Sequence, residues 1–149
     1  MSFFDQAGDG SEDDGTFFSL ASEYLEAALV LYKTPPTRIG YSLVIYYLLG
    51  HSAELTLKSY LFDHDETPSS LKDIGHNLDK LITRAKSHGL KSNLSLSAIS
   101  ELSPIYLAKE LEYKKRKRQS FPSEDDLISE IQALQDVVFD RIFKWDQCA

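Results

Sequence analysis

Apolar residues recur every three or four positions in five stretches of the chain, and this spacing is typical of helices with one buried face. The stretches cover residues 16–33, about 39–63, 77–88, 97–111 and 124–145. None of them alternates apolar and polar residues with the period of two that a half-buried strand needs. Pro104 lies inside the fourth stretch and is expected to kink or divide it. The sequence therefore predicts an all-α fold, an antiparallel helical bundle of four main helices with one kinked or broken.

The second stretch is apolar on nearly every side, as expected for a helix at the centre of a bundle. Its exceptions are His51, Glu54 and Lys58, which lie within about 60° of one another at about 100° per residue. The next helix opens with His76 and Asn77, and we expect this turn to return to the same strip, with His76 close to Glu54. We call these five residues the polar seam.

Local signals refine this central region. Gly50 costs about 1 kcal/mol relative to alanine in a helix interior, and its expected meaning is a close approach by a neighbouring helix. Residues 64–75 are expected to form a loop, because they contain Pro68 and paired serines. Asn77 is expected to cap the next helix by accepting a hydrogen bond from the amide of Asp79 or Lys80.

Charge is distributed unevenly along the chain. The formal net charge is −7, but the first fifteen residues hold five acidic side chains and no basic one, which leaves 16 basic against 18 acidic residues elsewhere. We therefore expect a mobile acidic tail over residues 1–15 and a single helical-bundle domain over residues 16–149.

Five basic residues in succession form the most concentrated charge in the sequence: Lys114, Lys115, Arg116, Lys117 and Arg118. One interpretation is a solvated helix end, where positive charge is favourable. The other is a polyanion-binding site, with RNA as the expected ligand and attraction to its backbone as the driving force.

Composition restricts where the protein works. Cys148 is the only cysteine, which excludes an internal disulfide and a cysteine-based metal cluster and favours a reducing compartment. The longest apolar run, Leu43–Leu49, is far shorter than a membrane span, and the first residues lack the basic end and apolar run of a signal peptide. We expect a cytoplasmic protein with no membrane contact.

Two short motifs carry a family resemblance. The central helix reads E-L-x-L-K-x-Y-L from Glu54 to Leu61, and after the loop Gly75-His76-Asn77-Leu78 opens the next helix. This pair resembles the HEPN domain, the family named for higher eukaryote and prokaryote nucleotide binding, whose members have a Glu-x-x-x-Lys helix followed by a His-Asp/Asn-Leu helix start. Helix order and length extend the similarity over residues 17–145.

The resemblance implies an antiparallel bundle that commonly dimerises, with a role around RNA, nucleotides or toxin–antitoxin defence systems. Many such domains are metal-independent ribonucleases in which four to six residues separate an arginine from a following histidine, late in the chain. Here no histidine follows His88, and Arg84 and His88 stand too close together in the wrong helix. The resemblance therefore implies a non-catalytic member that binds RNA, a nucleotide or a protein partner.

An enzyme is the alternative. His51 and His76 are candidates for the general acid and base of a ribonuclease, since imidazoles titrate near neutral pH, and Glu54 is the third candidate catalytic residue. The competing structural interpretation is an internal polar seam in which every group is hydrogen-bonded. An open cleft would favour the enzyme and a closed seam the binding module.

We expect no metal and no cofactor. His51 and Glu54 stand at the spacing of two ligands in carboxylate-bridged bundles, but such sites need further carboxylates and histidines from other helices. The sequence offers no second pair of that kind.

The first helix has a second apolar sector beside its main stripe, formed by Phe18, Leu25, Leu29 and Tyr32. A second apolar sector on one helix usually meets another helix or another subunit. On this basis we expect a homodimer.

Overall fold

The computed structural model describes residues 14–34, 43–107 and 121–143, and in these residues the chain forms six α-helices and no strand. The helices are α1 (Asp14–Lys33), α2 (Leu43–Asp63), α3 (Pro68–Ile74), α4 (Leu78–Ser87), α5 (Ser97–Leu107) and α6 (Glu124–Phe143). The predicted all-α helical bundle is confirmed. None of the described helices is long and apolar enough to cross a membrane. α1 begins at Asp14, inside the segment that the sequence assigns to the acidic tail, and residues 1–13 lie outside the described residues.

α2 lies at the centre of the bundle and contacts each of the other described helices. Fourteen of its 21 residues are buried, which agrees with its nearly continuous apolar sequence. α1 runs antiparallel to α2, since Phe17 at the start of α1 packs against Phe62 at the end of α2, with 5.8 Å between ring centroids. This central position makes α2 the element from which the polar seam is built.

α6 packs along α2 in the same direction. At the start of both helices, the Tyr46 hydroxyl donates a 2.7 Å hydrogen bond to the carbonyl of Pro122. At their ends, Arg141 Nε lies 2.8 Å from a carboxylate oxygen of Asp63. The apolar residues that recur every three or four positions along α6 are buried: Leu127, Ile131, Leu134, Val138 and Ile142.

The second apolar sector of α1 contacts α6 of the same chain at both of its ends. Phe18 lies 5.8 Å from Phe139 and 5.7 Å from Phe143, measured between ring centroids. At the other end of α1 the Tyr32 hydroxyl donates to a carboxylate oxygen of Asp125. The sequence pattern identifies an apolar face but not what covers it. Tyr32 remains 38% exposed, so α6 covers the sector only in part, and the homodimer stays a prediction.

The loop predicted over residues 64–75 is wrong in part, because it contains the helix α3. The Thr67 side chain caps α3 by accepting a 3.0 Å hydrogen bond from the amide of Ser70. Pro68 occupies the first helical position, where its missing amide hydrogen costs nothing and its fixed φ suits a helix. Gly75 ends α3 with φ at +65°, in the region that favours glycine. Pro68, which the sequence assigns to a loop, therefore begins a helix.

α5 is continuous through Pro104, so this helix is not divided into two pieces within the described residues. Its predicted extension to residue 111 lies outside them. The ring of Tyr106 near the end of α5 packs directly on Gly50 of α2. A Cβ atom added at Gly50 would lie 2.6 Å from Cδ1 of that ring, well inside contact distance. The predicted close approach at Gly50 is confirmed, and α5 is the helix that makes it.

We expect the substitution Gly50→Ala to lower the free energy of unfolding by up to about 2 kcal/mol. Overpacking of a filled contact costs about 1–3 kcal/mol, against a gain of about 1 kcal/mol in helix propensity. Urea unfolding followed by circular dichroism measures the difference. In a Tyr106→Ala background the clash is absent, and there Gly50→Ala should stabilise the protein. The same loss in both backgrounds would contradict the contact.

Candidate functional site

The candidate site is centred on Glu54, in the middle of α2, whose side chain is fully buried. Lys58 lies one helical turn further on and is itself only 6% exposed, with its Nζ 2.9 Å from Glu54 Oε2. A buried carboxylate is costly unless it is paired and hydrogen-bonded. Glu54 and Lys58 therefore form an internal ion pair one helical turn apart.

His76 reaches the same carboxylate from the turn between α3 and α4. The positive φ of Gly75 ends α3, and Asn77 begins α4 by accepting a 3.0 Å hydrogen bond from the amide of Lys80. Between them, His76 places its Nδ1 2.8 Å from Glu54 Oε1, while 54% of its side chain remains exposed. The predicted proximity of Glu54 and His76 and the predicted cap at Asn77 are both confirmed.

Tyr106 is the third donor to Glu54, and the sequence did not reveal it. Its hydroxyl lies 2.8 Å from Glu54 Oε1 and 2.9 Å from Nδ1 of His51. In the sequence this tyrosine belongs to an apolar stripe, where an aromatic residue is usually part of a core. Gly50 was the one signal available, since it predicts that some side chain approaches α2 closely without identifying that side chain.

The hydrogen bonds fix which atoms carry protons. Burial, followed by the charge of Glu54, raises the pKa of Tyr106 far above its usual value, so the phenol keeps its proton and donates a hydrogen bond to Glu54. Burial alone would raise the pKa of Glu54, but the His76 hydrogen bond and the Lys58 charge outweigh it, so that this pKa lies below its usual value. His76 Nδ1 must then donate to the carboxylate, and His51 Nδ1 must donate to the Tyr106 oxygen.

Four members of the polar seam and Tyr106 thus form one hydrogen-bonded network, which we call the Glu54 network: His51, Glu54, Lys58, His76 and Tyr106. Networks of this kind hold packed elements in one arrangement, because each donor is fixed by an acceptor in a medium of low polarity. Two imidazoles connect to one carboxylate, one directly and one through a phenol. The arrangement can therefore hold protons at defined atoms, but its centre is closed to solvent.

A second polar contact of α2 joins it to α1 and α6 and also went unpredicted. The Ser52 hydroxyl donates to the carbonyl of Ala21 at 2.8 Å. Gln135 Nε2 of α6 donates to the side-chain oxygens of Ser52 and Thr56, at 3.0 and 3.2 Å. All of the participating side chains of α2 and α6 are buried. The polar groups of Ser52, Thr56 and Gln135 are thus hydrogen-bonded to one another across the helix interfaces, which is the geometry of a structural contact.

Arg84 and His88, which stand too close in sequence for the ribonuclease motif, are paired with Glu66. One carboxylate oxygen of Glu66 lies 2.6 Å from Arg84 Nη1 and 3.2 Å from His88 Nε2. The Ser70 hydroxyl donates to the other oxygen at 2.6 Å. The hydrogen bond from Ser70, with those from His88 and Arg84, holds the pKa of Glu66 below its usual value. These contacts hold α3 and α4 against the loop that follows α2.

The basic cluster Lys114–Arg118 lies outside the described residues, so its role as a polyanion-binding site stays a prediction. Within residues 14–34, 43–107 and 121–143, no group of three or more histidine, cysteine, aspartate or glutamate side chains is arranged to hold a metal ion.

Comparison with known proteins gives no further guide: no protein-family model matches the chain, and neither a curated protein nor a solved structure matches it.

We expect the substitution Glu54→Gln to lower the free energy of unfolding at neutral pH by roughly 3–5 kcal/mol, the usual cost of breaking a buried ion pair. Because the pKa of Glu54 is lowered by folding, its contribution is complete above the ordinary carboxyl value of 4.5. That contribution is lost as pH falls below 4.5 and through the lowered pKa. Urea unfolding of the two proteins across this pH range measures the difference.

A Glu54→Gln/Lys58→Met double variant is the matched control, since it removes both charges, and it should recover part of the lost stability. A difference between wild type and Glu54→Gln that grows on acidification would show that the carboxylate is not stabilised by its donors.

Proposed function

We propose that this protein is a non-catalytic, HEPN-like helical module that binds RNA or a nucleotide, with a protein partner as the remaining alternative. The observation that carries the proposal is the closed centre of the Glu54 network. Among the candidate catalytic groups, His76 hydrogen-bonds directly to the buried Glu54 carboxylate and His51 is linked to it through the Tyr106 hydroxyl, as residues that hold a fold together are. A general acid or base must instead reach the proton that it transfers.

The HEPN-like assignment is supported by the residues on which the resemblance rests. Glu54, Lys58 and His76 carry its two motifs, and both Lys58 and His76 lie within 2.9 Å of the Glu54 carboxylate. Residues that share a sequence motif and also meet in space are a more specific signal than helical periodicity, which many bundles share.

RNA is the favoured ligand because of the basic cluster Lys114–Arg118, whose five charges would neutralise phosphates. The cellular setting that we propose follows from the resemblance: a cytoplasmic homodimer, one half of a toxin–antitoxin or other defence pair. In that setting the protein partner would be the other half of the pair.

A metal-independent ribonuclease that uses His51 and His76 is the second candidate. One observation favours it: both imidazoles connect to the same carboxylate, and the side chain of His76 is half exposed at the surface. A carboxylate that orients a histidine is a common element of acid–base sites.

A binding assay and a cleavage assay on the same samples distinguish these functions. We expect the full chain to increase the fluorescence anisotropy of a labelled single-stranded RNA at low salt, with affinity that falls as salt is raised. After prolonged incubation the RNA should remain intact on a denaturing gel. Neutralising Lys114–Arg118 should remove most of the salt-dependent affinity, because backbone attraction is its source.

The variants His51→Gln and His76→Gln provide the control for catalysis. If the wild-type chain cleaves the RNA and both variants do not, the protein is a ribonuclease and the proposed non-catalytic function is wrong. A wild-type chain that binds neither the RNA nor a nucleotide would overturn the proposed ligand and leave the protein partner.

A further inference from the structure

Aromatic rings surround His51 at the surface above the Glu54 network. The Tyr24 ring of α1 stacks on the imidazole, with 5.1 Å between centroids and 23° between planes. Tyr47, one turn before His51 on α2, meets it edge-on at 4.4 Å. Tyr106 of α5 meets it from a third direction at 5.5 Å and at 90°. Three helices thus contribute rings to one continuous aromatic group.

This group extends to the exposed histidine of the Glu54 network. The ring of His76 lies 6.3 Å from that of Tyr106, and Tyr106 itself is buried. Tyr24, Tyr47 and His51 are each partly exposed, and the His76 side chain is 54% exposed. We call the four water-accessible rings, Tyr24, Tyr47, His51 and His76, the ring platform.

The charges beneath the ring platform balance. The Glu54 carboxylate and the Lys58 ammonium are in contact at 2.9 Å and both are buried. The buried ion pair therefore offers a phosphate no unpaired charge, while the ring platform above it is partly exposed. Phenol and imidazole groups can also donate to or accept from the edge of a base.

We propose that the ring platform is a stacking site for a nucleobase of single-stranded RNA. The inference rests on the proposed RNA-binding function. It adds the ring platform to Lys114–Arg118 as a second RNA-binding surface. Proteins that bind single strands combine a basic region that attracts the backbone with aromatic side chains on which unstacked bases lie. In this chain the basic region would be Lys114–Arg118, and the stacking surface would be Tyr24 and Tyr47 with the two histidines.

The two surfaces should differ in their response to salt. Backbone attraction releases counterions and weakens steeply as salt increases, whereas stacking is not ionic. The contribution of the ring platform should therefore persist at high salt. A purely structural role for the same rings would change the stability of the protein but would not leave a salt-independent part of the affinity.

The test measures the affinity of the full chain for a labelled, unstructured RNA decamer by fluorescence anisotropy, at about 50 mM and about 300 mM KCl. The variants Tyr24→Leu and Tyr47→Leu remove one ring each, and each should weaken binding by roughly five- to a hundredfold at both salt concentrations. The slope of affinity against salt should stay the same. Circular dichroism and thermal melting establish that each variant is folded.

Two control variants isolate the rings. Tyr24→Phe keeps the stacking face and should bind nearly as well as the wild type. Tyr32→Leu removes a tyrosine from the same helix at a position outside the ring platform, where the hydroxyl donates to Asp125 of α6, and it should leave RNA affinity unchanged.

Wild-type affinity in folded Tyr24→Leu and Tyr47→Leu would overturn the stacking site while leaving the proposed function intact. Equal losses in Tyr24→Leu and Tyr32→Leu would also overturn it, because the effect would then be one of fold and not of position. A wild-type chain that binds no RNA at either salt concentration would overturn the proposed function, and the stacking site with it.

Discussion

A carboxylate buried at the centre of a helical bundle is the constraint on which the rest of this structure depends. Glu54 has no contact with water, so its charge must be balanced inside the protein. The donors come from three places: Lys58 from α2 itself, His76 from the turn before α4, and Tyr106 from α5. Because these elements are distant in sequence, satisfying one charge fixes their positions relative to one another.

The absence of a side chain at Gly50 makes that arrangement possible. The Tyr106 ring lies 2.6 Å from the position that the Cβ atom of any other residue would take, and from there its hydroxyl reaches both Glu54 and His51. A glycine that weakens α2 locally by about 1 kcal/mol thus permits hydrogen bonds that join α2 to α5. The same close approach places Tyr106 at the centre of the rings around His51.

The parts of this structure that follow from local chemistry were predictable from the sequence. Helical periodicity predicted the helical bundle. The spacing of Glu54 and Lys58, together with the Gly-His-Asn turn, predicted that His76 lies close to Glu54. Tyr106 could not be identified in this way, because a tyrosine in an apolar stripe looks like any other core residue. Pro68 was ambiguous for a different reason, since proline both ends helices and begins them. Partners across helix interfaces depend on three-dimensional packing, which periodicity does not encode.

Direct detection of the imidazole nitrogens by ¹⁵N NMR tests the Glu54 network most directly. The carboxylate has no proton to give, and the phenol proton of Tyr106 is directed to Glu54. We therefore expect Nδ1 of both His51 and His76 to carry a hydrogen near neutral pH, with signals that change in Glu54→Gln. An unprotonated Nδ1 on either histidine in the wild-type protein would contradict the network and the closed centre on which the proposed function rests.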